Sequence, residues 1–305
     1  MRDRLQLHAS VFFYSSFSCV FWGVHQDRQA RGRWVNVAGR AFINFCKDLV
    51  KLVFPEAKVR RAEATAPAWP DLRDGSEKPT VVLISGFVAP YRNLSVMRKR
   101  LRRDGFNVVI CTLDWETLSD SVRGLYQMAE KLSSVVLKVQ KHTGMRRRKV
   151  YLVAHSAGGL VARYYVQLLG GSHYCDGLIT MATPHRGIWM AALGLLTPLV
   201  LRAGCLLQML PSSGFIRALN ATDLPAGFPL VSIYSKDDLV CPPNATRLPD
   251  AIASRDTSTS IAMSRLSHRD FLLSKKTYRL VLKHLGPTPS EPVKAPVPEN
   301  NTQVS

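Results

Sequence analysis

The residues best suited to chemistry lie around "VYLVAHSAGGLVARYYV", Val150 to Val166. An apolar run leads into His155 and Ser156, and two glycines then open an apolar, helix-like stretch. A sharp turn between strand and helix would lift the Ser156 hydroxyl above the sheet edge, with the positive end of a helix beneath it. Such a turn crowds the positions two before and two after the serine, and Ala154 and Gly158 are both small. Serine is a weak nucleophile until a base takes its proton and a carboxylate orients that base. Two downstream stretches supply these groups. "VSIYSKDDLVCPP" places Asp237 and Asp238 after an apolar run, and "AMSRLSHRDF" places His268 between the last such run and the last helical pattern. The Ala157 N–H, at the start of the helix, can hold a developing oxyanion. These residue types point to acyl transfer through a serine.

The elements that must position them alternate along the chain. Short apolar runs occur at Thr80–Ile84, Asn107–Leu113, Lys149–Ala154, Gly177–Met181, Pro229–Tyr234 and Ser260–Arg265. Helical patterns fall at Asn93–Arg103, Ser119–His142, Ala157–Leu169 and Asp270–His284. This alternation predicts an α/β fold, a mostly parallel central sheet flanked by helices on both faces. No internal repeat is visible.

From about Pro79 to Leu285 the chain resembles the α/β-hydrolase lipases and esterases, especially bacterial lipases whose nucleophile turn begins with alanine. The likeness rests on "AHSAGG", "MATPHRG", "YSKDDLVCPP" and the terminal "SHRDF". It implies a triad in the chain order serine, acid, histidine: Ser156, Asp238 and His268. Asp238 is preferred to Asp237 because Asp238-Leu239-Val240-Cys241-Pro242 resembles the acid loop of lipases. His155, His173, His185 and His284 do not fit the order. The likeness also implies a second oxyanion donor, the Phe87 N–H in "TVVLISGFVAP", beside that of Ala157. Ser85 and Ala154 depart from the family pattern, standing where a histidine before the loop glycine and a first glycine of the turn are usual. "TPHRG", Thr183 to Gly187, resembles the segment that leads into a lid. Ile188 to Leu210 is apolar nearly all round, and a helical cap or lid is expected over residues 186–227. The expected activity is ester hydrolysis on lipid or other apolar acyl esters, with no cofactor and no metal. An acyltransferase or thioesterase on the same triad, and a non-catalytic membrane-bound protein, are the alternatives.

Composition bounds the setting. The chain has 305 residues, 46% hydrophobic and 21% charged, with a net charge of +19. That size and apolar content suit a full core. The charge favours an anionic partner; without zinc-finger, RNA-binding or basic helix-turn-helix patterns, an anionic membrane surface is expected and nucleic acid is not. Six scattered cysteines form no CxxC pair, which argues against zinc and a disulfide scaffold. N-x-S/T triplets begin at Asn93, Asn220, Asn244 and Asn300 and are read as chance matches.

Residues 1–56 are read as a membrane-associating segment. Its first 24 residues have the look of a signal, an anchor or a misassigned start. Trp34 to Phe54 carries a narrow polar stripe on a broad apolar helix. Arg40, Lys47 and Asp48 near its middle would each cost about 2.5–3.5 kcal/mol to insert. It is therefore expected to lie flat on lipid, or to pack on the body of the protein. Residues 57–78 read as a linker, 79–285 as the catalytic domain and 286–305 as a proline-rich tail. Peripheral or N-terminally anchored membrane association is expected, with a cytoplasmic location as the alternative.

Overall fold

A computed structural model describes residues 79–86, 91–112, 124–142, 150–189 and 203–286. The chain divides into two units, Met1–Arg40 and Ala41–Ser305, and every described residue lies in the second. The expectations for the N-terminal segment, the linker, the tail beyond Gly286 and Phe87 lie outside the described residues.

Six strands form one sheet: β1 (Thr80–Ile84), β2 (Asn107–Cys111), β3 (Val150–His155), β4 (Cys175–Met181), β5 (Leu230–Ser235) and β6 (Ser258–Met263). Their spatial order is β2-β1-β3-β4-β5-β6, and all five pairings are parallel. Every residue of β1 and β3 is buried, as expected for parallel strands covered on both faces. Val82, Ile84, Leu152 and Ala154 pack into one apolar layer with α2 (Gly124–His142) and α3 (Ala157–Leu168). Val81, Leu83, Tyr151 and Val153 pack into the opposite layer with α1 (Tyr91–Arg103) and Tyr278 and Val281 of the C-terminal helix.

The expected strands are all present; β1 matches at both ends, and no other end differs by more than two residues. Strands buried on both faces lack the apolar–polar alternation that would mark where pairing begins. The final helix is divided. Asp270–Leu273 (α8) and Lys275–His284 (α9) are separated by Ser274, whose side chain accepts from the N–H groups of Lys276 and Thr277. This cap starts a new helix within what the apolar spacing reads as one.

Between β4 and β5 the described helices are α4 (Ala203–Gln208) and α5 (Gly214–Ala221); two short helices, α6 (Pro243–Thr246) and α7 (Asp250–Ala253), lie between β5 and β6. The apolar stretch Ile188–Leu210 is described only at residues 188–189 and 203–210. Of its described residues only Ala203–Gln208 is α-helical, and the Gln208 side chain accepts from the Leu125 N–H at the start of α2, 2.7 Å away. The Ile188 N–H donates to the Met209 carbonyl, so the chain on either side of 190–202 is joined. Among the described residues no helix is long and apolar enough to cross a membrane.

Candidate active site

Ser156 follows the last residue of β3, near the middle of the sheet, and precedes the first residue of α3. Its φ of 55° and ψ of −132° lie where a side chain is strained, a conformation that costs of order 1–3 kcal/mol and persists only when surroundings hold it. The holding contacts are local. The Ser156 N–H donates to the Met181 carbonyl, while its carbonyl accepts from Gly159 N–H and from the Thr183 hydroxyl at 2.9 Å. Ala154 is fully buried beneath the turn and Gly158 fits against the Ser85 carbonyl. The Ala157 N–H stands at the helix N-terminus, next to the serine.

Asp238 and His268 come to this serine from the loops after β5 and β6. His268 Nδ1 is 2.9 Å from Asp238 Oδ2, and His268 Nε2 is 2.9 Å from Ser156 Oγ. With the carboxylate on Nδ1, that nitrogen carries the proton and Nε2 is free to accept from the serine hydroxyl. Asp238 is 1% exposed, and its other oxygen accepts from the Val240 and Cys241 N–H groups, each at 2.9 Å. Asp237 faces elsewhere: it accepts from the Arg265 N–H, where the chain leaving β6 has a φ of 60°. The two adjacent aspartates thus hold different loops.

His268 is pulled down by burial, but the Asp238 charge, Cys241 and hydrogen bonds to both push harder and leave it well above the ordinary histidine value. Burial raises the Cys241 thiol. The turn that carries His268 is closed by Asp270, which accepts from both the N–H and the hydroxyl of Ser267 at 2.8 and 2.7 Å. Ser267 and Asp270 stand three apart in "SHRD", but Asp270 is the first residue of α8, so the pair closes the preceding turn and does not cap the helix. Below it, Arg100 of the basic run on α1 donates to the Leu273 and Ser274 carbonyls at the end of α8. That cation serves the fold.

Residues not anticipated for the site gather beside it. His155 is 2% exposed and donates from Nε2 to the His268 carbonyl at 2.8 Å. Burial, then the neighbouring His268 and Arg269, lower it to about 3, although the His268 carbonyl bond opposes this. Arg163 of α3 is fully buried and its guanidinium bonds Gln167, His185, Asn220 and the Leu219 carbonyl, all uncharged groups. Burial lowers it to about 9. Burial and then Arg163 hold His185 well below its ordinary value, so its Nε2–H is left to donate to Thr180. This network fixes "TPHRG", and Thr183 within it holds the serine turn. Among the described residues no cluster could hold a metal ion.

Solved structures place the sheet and its corner in context. A Bacillus licheniformis lipase, BlEst2 in mature form, superposes with a TM-score of 0.52 at 16% identity, covering 72% of this chain and 96% of that one. This is an α/β-hydrolase fold. A carboxylesterase structure from the thaumarchaeon Nitrososphaera gargenis gives a TM-score of 0.50 at 13% identity, covering 70% and 92% of the two chains. A Mycobacterium tuberculosis protein described as "Putative non-heme bromoperoxidase BpoC" gives 0.51 at 13%, covering 69% and 93%. The α/β-hydrolase fold therefore accommodates differently named proteins, and the chemistry has to be argued from the site. Residues 76–211 match a family described as "Putative serine esterase (DUF676)". The matched part of the chain contains Ser156 but neither Asp238 nor His268. A comparison with curated proteins gives no match.

Proposed function

We propose that this α/β hydrolase cleaves carboxylic esters through Ser156, His268 and Asp238. The observation that carries the reading is the unbroken hydrogen-bond chain from Asp238 Oδ2 through the His268 ring to Ser156 Oγ, at 2.9 Å for each link. His268 Nε2 takes the hydroxyl proton as Ser156 Oγ attacks the ester carbonyl. The same proton passes to the departing alkoxide, leaving an acyl-serine. Water then attacks that ester, gives its proton to His268, and the acid leaves as Ser156 Oγ recovers the proton. The oxyanion formed in each half is held by the Ala157 N–H and, by the family likeness, by that of Phe87.

An apolar acyl group is the proposed substrate portion. Trp189, on the loop after β4, is 68% exposed, and Leu239, next to Asp238, is 49% exposed. Exposed large apolar residues on loops at the catalytic edge suit a lipid-like ester. The net charge of +19 is the support for an anionic membrane surface as the place of action.

The test is hydrolysis of p-nitrophenyl esters of rising chain length by wild type and Ser156→Ala, with fluorophosphonate labelling in parallel. Loss of the nucleophile should lower turnover on the order of 10⁶-fold and abolish labelling. An alanine variant as active as wild type would sink the proposal. Vesicle co-sedimentation with residues 1–56 deleted tests the membrane part; undiminished binding to anionic vesicles would exclude that segment as the anchor.

A further inference from the structure

We propose that His155 is a positioning residue that holds the catalytic base by its main chain. The inference rests on the hydrolase reading above and gives a task to a histidine that stands outside the triad. His155 is the last residue of β3 and the covalent neighbour of Ser156. Its Nε2–H donates to the His268 carbonyl at 2.8 Å, and the two rings lie 4.8 Å apart, tilted by 50°. The side chain of the residue before the nucleophile thus reaches the backbone of the base.

Three features give this bond its weight. First, the turn around His268 is closed by Asp270 on its own side, through Ser267. The ring is held by Asp238 and Ser156. The His155 bond is the link from the His268 carbonyl to the central sheet. Second, the ring has little freedom. A Cβ on Gly86 would lie 3.2 Å from His155 Nδ1 and 2.6 Å from Ser156 Cβ, so the loop after β1 packs against both. Third, Nδ1 is buried and has no hydrogen-bond partner among the described residues. A leucine would fill the same space without leaving that nitrogen unpaired, so what the imidazole provides here is the donor at Nε2. The charged and titratable groups facing the ring are His268 and Arg269, and both disfavour its protonation, which keeps one neutral tautomer with Nε2 as donor. Loop, nucleophile and base are therefore referred to one rigid side chain, and the proton-transfer distance depends on it.

The experiment uses the full chain with p-nitrophenyl butyrate, comparing His155→Gln, His155→Asn and His155→Leu. Glutamine places an amide N–H near the position of Nε2; asparagine places it near Nδ1, and leucine has none. Misplacing a base by about 1 Å can cost about 10²-fold, so leucine and asparagine should lower kcat by about 10- to 100-fold with little change in KM. The acid limb of kcat/KM should move to lower pH in both, because a displaced His268 loses some of the Asp238 contact that raises it. Glutamine should restore most of kcat and return the limb towards wild type. Leucine with wild-type kcat and limb would overturn the proposal. So would glutamine and asparagine being equally impaired, a comparison that still decides if the leucine variant does not fold. Fluorophosphonate labelling separates the two levels: wild type that fails to label Ser156 removes the hydrolase reading itself. Wild type that labels, beside His155 variants that behave as wild type, removes only this inference.

Discussion

Replacing Asp238 with asparagine exchanges one oxygen for an NH₂, and the loop dictates which. Oδ1 accepts from two buried N–H groups, those of Val240 and Cys241, both at 2.9 Å. Turning the amide over would set its NH₂ against them, leaving two donors unpaired at about 1–3 kcal/mol each. The oxygen therefore stays, and the NH₂ faces His268 Nδ1 across 2.9 Å. Two donors cannot share that line, so the ring proton moves to Nε2, the atom that faces Ser156 Oγ. The base then has no lone pair where it needs one. A wrong tautomer in good geometry costs about 10⁴-fold in serine hydrolases, or about 5.5 kcal/mol of barrier. The assay is kcat and KM on p-nitrophenyl butyrate across pH, with Asp237→Asn beside it. Asp238→Asn should lose about 10⁴-fold in kcat with KM little changed. Its residual acid limb should move to lower pH, since the charge that raises His268 is gone. Asp237→Asn should stay within about threefold, as for a substitution away from the reacting atoms. An Asp238→Asn enzyme keeping more than about a tenth of wild-type activity would refute the tautomer argument. Equal losses in both variants would refute the assignment of the acid.

Two further outcomes are expected. His155, lowered to about 3, and His185, held well below its usual value, are neutral in the fold but protonate near pH 6.5 once unfolded. The unfolded chain thus binds more protons in that window, and stability falls as pH drops. His268, raised in the fold, holds more proton than the unfolded ring near pH 6.5, so it opposes this slope there and ceases to matter towards pH 5. Urea midpoints between pH 6.5 and 5 should show a loss of up to about 1.4 kcal/mol per pH unit for each buried histidine. His155→Gln should remove its share, and a flat profile would contradict the burial argument. Gly159→Ala would put a Cβ 2.0 Å from the Thr183 hydroxyl and 2.7 Å from its methyl, so neither branch can turn away. Despite the better helix former, unfolding free energy should drop by about 1–3 kcal/mol; a variant as stable as wild type would show that Thr183 yields.

The sheet was legible because six apolar runs alternate with helical patterns, and the corner at Ser156 because small residues flank a hydroxyl there. Asp238 and His268 could be found because each follows a strand, which restricts candidates to two loops. Other features are not carried by any local pattern. The division of labour between Asp237 and Asp238 depends on where Arg265 lands, and that is set by the pairing of β5 with β6. His155 does not fit the chain order for a base, and its contact with a carbonyl 113 residues away has no sequence signal. The uncharged partners of Arg163 come from α3 itself, the loop after β4 and the end of α5, so only the folded chain unites them. Ser274, by contrast, was readable as a helix cap and was hidden by an apolar spacing that runs through both helices.

The base arrives from the margin of the sheet. Among the described residues β6 is its outer strand, paired on one side with β5, and none of its six residues is buried. Strands of this kind open locally at lower free energy than the core. Heat or mild denaturant can then withdraw His268 while the nucleophile, set beside the buried β3, keeps its strained turn. Inactivation would precede global unfolding and reverse on cooling, so catalytic half-loss would measure the fastening of one strand rather than the stability of the molecule.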